Sequence, residues 1–163
     1  MAGRVAKIVM CLGFGLFGFL VAADNLIDYD ANFEFVRHVL SMDTTFESSR
    51  LRSRAILDPF WWRAAYALII LGEAVMGLLF LIGAARLLGA LRAPAARFDS
   101  AKSWAISGAT LGFALWFGGF MLVGGEWFQM WQSAQWNGQE AAFRFYMPLM
   151  VGLVFIALPE REL

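Results

Sequence analysis

Long apolar runs alternate with shorter polar segments along the whole chain. A helix needs roughly 20 mostly apolar residues to cross the hydrocarbon core of a bilayer. Four runs approach this length, at about residues 5–23, 64–85, 103–125 and 141–158. The pattern therefore predicts four transmembrane helices.

The segment between the first two spans, residues 24–60, is too long for a plain connection and has helical periodicity of its own. Asp30 is a candidate N-cap for a short helix that ends near Met42, and Ser48 or Ser49 is one for a basic turn that begins at Arg50. We predict an all-α polytopic membrane protein. Its one four-helix domain covers residues 1–163, with a structured extracytoplasmic first loop.

The first run also resembles a secretory signal, since Arg4 and Lys7 precede it and Val21-Ala22-Ala23 resembles a cleavage region. Its apolar stretch is longer than the roughly 7 to 15 residues of a typical signal core. We therefore interpret this run as a retained helix.

Composition supports the membrane class. Hydrophobic residues make up 60% of the chain and charged residues 16%, against roughly 45 to 50% and 25% in soluble domains. The formal net charge is zero, so nothing favours a nucleic-acid partner. The single cysteine, Cys11, lies in the first run and rules out an internal disulfide or a CxxC site.

Charge near the spans predicts an orientation. The connection between the second and third spans is basic, whereas the turn from Glu126 to Glu140 has no basic residue, so the positive-inside rule assigns both termini to the cytoplasm. Arginines in the first loop then lie outside, against that rule. Tryptophans at the outer ends of the second and third spans are typical of membrane interfaces.

Glu73 is an acidic residue in the middle of the second span, where a charge costs at least roughly 2.5 kcal/mol. By the helical rise it lies about 14 Å inside Ala64, whereas Arg144 lies only about 4 Å inside the fourth span. Trp116 of the third span lies at the depth of Glu73, so we predict that these two residues form an intramembrane polar site. Three roles are compatible with Glu73: a polar contact that holds two helices together, the transfer of a proton or ion, and contact with a partner.

Glycines on the first and third spans are predicted to let neighbouring helices approach closely. They are Gly13, Gly15, Gly18, Gly112 and Gly119. The first three also match a dinucleotide-binding pattern, but no strand precedes them, so we favour helix packing.

No metal site or cofactor is predicted. Asp28, Asp30 and Asn32 match the start of a calcium loop, but the required glycine is Phe33 and the final glutamate is Val39. The one histidine, His38, offers at most one axial haem ligand. One histidine and one buried cysteine assemble no catalytic constellation, so we do not expect an enzyme.

Two segments carry a family resemblance: residues 25–46 (NLIDYDANFEFVRHVLSMDTTF) and 124–138 (GGEWFQMWQSAQWNG). They resemble signature segments of a bacterial family of predicted small integral membrane proteins, and Glu73 matches an acidic residue in the second span of that family. The resemblance implies a four-helix, multi-pass protein of the bacterial inner membrane. It implies no activity, cofactor or substrate.

The same segments predict an interaction surface at the outer ends of the helices. Its residues are Asp28, Asn32, Arg37, His38, Asp43, Thr44, Glu126, Gln132, Trp136 and Asn137. The alternative is that the two loops hydrogen-bond only to each other and close the bundle.

Two functions fit these features best. The first is a non-catalytic subunit or accessory factor of a larger membrane assembly, with the lipid bilayer and other membrane subunits, or a second copy, as partners. The second is a small transporter or proton-coupled protein that uses Glu73. A lipid-modifying enzyme ranks third, because Glu73 and His38 lie at different levels.

Overall fold

The computed structural model describes residues 1–161, which form helices and connecting turns and contain no strand. Four helices are long and apolar enough to cross a membrane, which confirms the predicted all-α polytopic class. The helical elements are α1 (Ala2–Ile27), α2 (Tyr29–Ser41), a 3-10 turn (Arg50–Arg54), α3 (Pro59–Gly89), α4 (Ala95–Ser100), α5 (Ser103–Phe113), a π-helix (Ala114–Trp127), a second 3-10 turn (Met130–Gln132) and α6 (Gln139–Ala157).

The spans are longer than the apolar runs predicted. Helix α3 has 31 residues, about 46 Å of helix, against a hydrocarbon core of about 30 Å. Its first turns therefore extend beyond the core or require a tilt. The distal part of α3 packs beside α2, where Val36 belongs to one buried cluster with Tyr66 and Ile70.

Side-chain contacts identify the two ends of the bundle. Arg4 contacts the 90–93 connection, and Lys7 and Lys102 both reach the carbonyl of Leu158, so this end is called the terminal side. The opposite end, called the distal side, carries residues 28–58 and 128–138. The predicted loop helix forms there, although its N-cap position is Asp28 and not Asp30.

The bundle closes because each span packs on the next and α6 returns to α1. The ring of Phe14 in α1 packs at a tilt against Phe80 of α3, and Phe17 contacts both Trp116 and Phe145. Large apolar side chains on the outside of every span remain exposed, as expected for helices solvated by lipid. Examples from the four spans are Leu20, Leu68, Leu122 and Val154.

Three of the five predicted packing glycines lie at close helix contacts. A Cβ at Gly15, Gly18 or Gly112 would approach an atom of a neighbouring helix to within 2.6–2.7 Å. The prediction is wrong for Gly13 and Gly119, where a Cβ would meet no atom within 4 Å. Both lie on open helix faces, which helical periodicity alone does not distinguish from packed ones.

Candidate functional site

Glu73 is buried on α3, with 2% of its surface exposed. Its Oε2 accepts a hydrogen bond of 2.7 Å from Nδ2 of Asn25, which lies in the last turn of α1. Both side chains are enclosed, so each supplies the other with a partner that lipid cannot provide. The bond joins the first span to the second.

Asn25 is the centre of this polar cluster. Its Oδ1 accepts from Asn32 Nδ2 at 2.7 Å and from the Tyr66 hydroxyl at 3.3 Å, and its backbone carbonyl accepts from the same hydroxyl at 3.1 Å. Tyr29 packs edge-on against the Tyr66 ring at 4.7 Å. One asparagine thereby ties together α1, α2 and α3.

The prediction that Trp116 is the partner of Glu73 is wrong. Trp116 is buried at the predicted helix, but its ring packs against Phe17 and Phe145. The predicted depth of Glu73 is measured from Ala64 as the start of the second span, whereas α3 begins at Pro59 and α1 continues to Ile27. These extensions bring a polar side chain of α1 to Glu73.

A sequence signal for Asn25 existed. Asn25 follows Gly15, Gly18 and Ala22 at helical spacings, so it shares their face if the first helix continues past residue 23. Placing the end of the span at residue 23 assigned Asn25 to the loop. Helix ends are the positions that an apolar run defines least well, because polar residues can continue a helix beyond the membrane.

On the distal side, His38 contacts three other predicted surface residues. Its ring stacks on Trp136 with centroids 4.4 Å apart, and its Nδ1 lies 2.8 Å from a carboxylate oxygen of Asp43. Arg37 lies 2.7 Å from Nε2 of the same ring. Since arginine only donates, Nε2 accepts and the proton that faces Asp43 is on Nδ1.

Two further hydrogen bonds cross between the distal loops. The Thr44 hydroxyl donates to Ser133 at 2.9 Å, and the backbone N–H of Phe46 donates to Gln132 Oε1 at 3.0 Å. The Arg54 guanidinium lies over the Trp127 ring at 4.3 Å. The loops therefore form one connected surface, as both sequence interpretations required.

The remaining predicted surface residues are not part of that network in the described structure. Asn32 belongs to the Asn25 cluster, and Asn137 accepts locally from the N–H of Gln139. Glu126 is exposed and its backbone carbonyl accepts from Gln129. Asp28 marks the bend between α1 and α2, with no capping bond from its side chain.

An ionic cluster on the terminal side was not predicted. Glu160 forms ion pairs with Lys7 and Lys102 and lies 3.4 Å from Arg4 Nε, and the side chains of all three cations are at least 95% buried. Lys102 also pairs with Asp99 at 2.6 Å. The sequence signal is weak, because these residues come from three separate segments and each also fits a membrane-flanking position.

Burial alone would raise the pKa of Glu160, but the hydrogen bond from Lys7 and the charges of Lys7 and Lys102 outweigh it and hold that pKa below its ordinary value. Glu160 is therefore ionised when the cluster is intact. The cluster links Glu160 to the first span and to residues 99–102, in the last turn of α4 and just after it.

The chemistry available to these sites is limited. Within residues 1–161, no group of three or more histidine, cysteine and acidic side chains is arranged to hold a metal ion. Cys11 is buried and unpaired. Glu73 accepts from the Asn25 amide, and the Tyr66 phenol donates to Asn25 and not to Glu73; such an arrangement suits hydrogen bonding between helices more than nucleophilic chemistry.

Comparison with known families gives one match. The family described as "predicted small integral membrane protein (DUF2165)" matches residues 3–159, nearly the whole chain. Neither the curated proteins nor the solved structures give a significant match.

Proposed function

The chain belongs to this family of small integral membrane proteins, and from that premise we propose that it is a non-catalytic accessory subunit which binds a partner membrane protein through its distal side. The family description states no activity, so the proposal rests on the structure of the two loops.

The observation that carries the proposal is a pair of exposed aromatic rings held in place by both distal loops. Phe46 and Trp131 meet edge-on with centroids 6.0 Å apart, and about half of each side chain is exposed. The backbone of Phe46 is anchored to Gln132, which holds the pair at the junction of the loops. Rigid aromatic side chains of this kind are typical anchors of protein interfaces.

The buried polar groups support the same proposal. Tyr66 and Glu73 are both hydrogen-bonded to Asn25, and these contacts join helices. Polar groups committed to helix contacts in this way fit a structural subunit better than a reaction centre.

We expect the double substitution of Phe46 and Trp131 by alanine to abolish partner capture without unfolding the bundle. A photoreactive amino acid incorporated at Glu47, the exposed neighbour of Phe46, in native membranes should cross-link to one protein, and mild-detergent purification should recover that protein in stoichiometric amount. The double variant should reduce both signals at least tenfold, because it removes the proposed interface anchors.

Phe60 and Trp61 provide the matched control, since they form another exposed edge-on pair, with centroids 5.2 Å apart, at the start of α3. Their replacement by alanine should leave capture unchanged. Equal losses in the two double variants would indicate general anchoring at the membrane interface. Recovery of only this chain would also count against the proposal.

We further propose that the membrane is the bacterial inner membrane and that both termini are cytoplasmic. Exposed Arg86, Arg92 and Arg97 on the terminal side favour this orientation. A C-terminal fusion to a reporter that is active only in the cytoplasm tests it.

A second candidate function is proton coupling through Glu73. It is favoured by the chain of hydrogen bonds that runs from exposed Asn32 through Asn25 to the buried carboxylate. The two candidates predict different results for Glu73→Gln and Glu73→Leu.

If Glu73 is a structural clamp, Glu73→Gln keeps an acceptor for Asn25 and should change the free energy of unfolding by less than about 0.5 kcal/mol. Glu73→Leu leaves the buried Asn25 amide without that acceptor and should cost about 1 to 3 kcal/mol. Unfolding by detergent titration measures both. A proton flux in reconstituted vesicles that Glu73→Gln abolishes, at unchanged stability, would instead establish the second candidate.

A further inference from the structure

A lateral groove opens between α2, α3 and the π-helix on the distal half of the bundle. Its volume is about 430 Å³, and every residue that lines it is apolar or glycine. It is an open groove and not an enclosed void, so molecules that surround the helices can enter it. It falls within the range of small-molecule sites, roughly 300 to 1,000 Å³.

Small side chains on its two walls create the groove. Gly72 of α3 faces Leu115, and Gly119 of the π-helix has no atom within 4 Å of where its Cβ would lie. Leu68 and Val123 line the groove and are also largely exposed, so it communicates with the surroundings of the helices. Because these residues belong to two candidate spans, those surroundings include lipid chains.

The groove is bounded at one end by residues of the distal side. Val39, Phe128 and Met130 line the groove and form one buried cluster with Met42, and Leu51 packs against that cluster. Leu51 belongs to the 3-10 turn Arg50–Arg54. The turn therefore places a basic segment beside the distal end of an apolar groove.

That segment is unusually positive. Residues 48–63 contain four arginines and one acid, Asp58, whose carboxylate is already used to cap α3. Arg54 is committed to Trp127, whereas Arg50 and Arg52 are exposed and their side chains make no hydrogen bond or ion pair within residues 1–161. Cationic side chains at a membrane surface attract anionic lipid headgroups.

We propose that this groove binds one acyl chain of an anionic phospholipid whose phosphate is held by Arg50 and Arg52. The acyl chain supplies the dispersion contacts that the open walls lack, and the arginines favour a negatively charged headgroup. The proposal is independent of the accessory-subunit function, since it concerns lipid and not a protein partner.

The test is native mass spectrometry of the purified protein, delipidated and then titrated with phosphatidylglycerol or phosphatidylcholine of identical chains. We expect one tightly bound phosphatidylglycerol, with at least tenfold preference over phosphatidylcholine. Gly119→Leu fills the groove and should remove binding of both lipids. Gly13→Leu also adds a side chain at an open helical glycine, but on α1, and should bind as the unchanged protein does.

The headgroup is tested separately. Arg50→Ala/Arg52→Ala should lose the preference for phosphatidylglycerol, whereas Arg92→Ala/Arg97→Ala, on the terminal side, should keep it. Equal binding of the two lipids by the unchanged protein overturns the headgroup assignment. Unchanged lipid binding in Gly119→Leu overturns the assignment of the groove as the binding site of the acyl chain. If Gly119→Leu does not fold, the melting temperature of the unchanged protein is measured with each lipid instead. Equal stabilisation by the two lipids, or none by either, overturns the proposal.

Discussion

Replacing Glu160 with alanine is expected to lower the free energy of unfolding by about 3 kcal/mol or more. Lys7, Lys102 and Arg4 are almost fully enclosed around this carboxylate, and Asp99 is the other acid in contact with Lys102. Removing one partner of a buried ionic cluster leaves charge that neither water nor a counter-ion compensates, which typically costs 3 to 5 kcal/mol. Reversible detergent unfolding of the purified protein measures the difference.

Glu140→Ala is the matched control, because it removes another carboxylate–cation pair near the start of α6. Glu140 and Arg144 are 2.6 Å apart, but their side chains are 81% and 70% exposed. Exposed ion pairs contribute between about 0 and 1 kcal/mol. Similar losses in the two variants would show that the terminal-side cluster is not a significant source of stability.

The same cluster should make stability depend on pH on the acid side. The pKa of Glu160 lies below its ordinary value in the folded chain, because of the hydrogen bond from Lys7 and the nearby cations, and returns to that ordinary value on unfolding. Its contribution is therefore complete above the unfolded pKa and is lost as pH falls through the folded one. Glu160→Gln should remove this component of the pH profile, and an identical slope in that variant would contradict the assignment.

Replacing Gly18 with alanine is expected to destabilise the bundle by about 1 to 3 kcal/mol, the usual cost of overpacking. The added Cβ would lie 2.9 Å from the Glu73 carbonyl and 2.9 Å from Cα of Gly77. These are backbone atoms, so α1 and α3 must move apart. Gly77→Ala should have a similar effect, since its Cβ would meet the Gly15 carbonyl at 2.9 Å.

Gly13→Ala is the control on the same helix. Nothing lies within 4 Å of the added methyl group, and alanine favours a helix over glycine by about 1 kcal/mol, so stability should stay level or rise. Thermal unfolding in detergent compares the variants. Equal behaviour of Gly13→Ala and Gly18→Ala would exclude a close α1–α3 contact.

The candidate sites were only partly predictable. Glu73 was identified because a buried acid contrasts with an apolar run, and His38 and Trp136 were assigned to one surface because the topology brings their loops to the same end. The partner of Glu73 was missed because a hydrogen bond depends on helix ends and rotations to within an ångström. The apolar pattern fixes the position of a helix end only to within several residues.

Four membrane-spanning helices follow from the amino-acid sequence alone, because an apolar helix satisfies its own backbone hydrogen bonds in lipid. The periodicity of apolar residues in the first loop also predicts the helix that forms there, α2. Three features are visible only in the folded chain: Asn25 bonds to Glu73, Glu160 lies among three buried cations, and Gly119 faces an open groove. These features arise where residues distant in the chain meet, and the distances between them depend on how the helices pack.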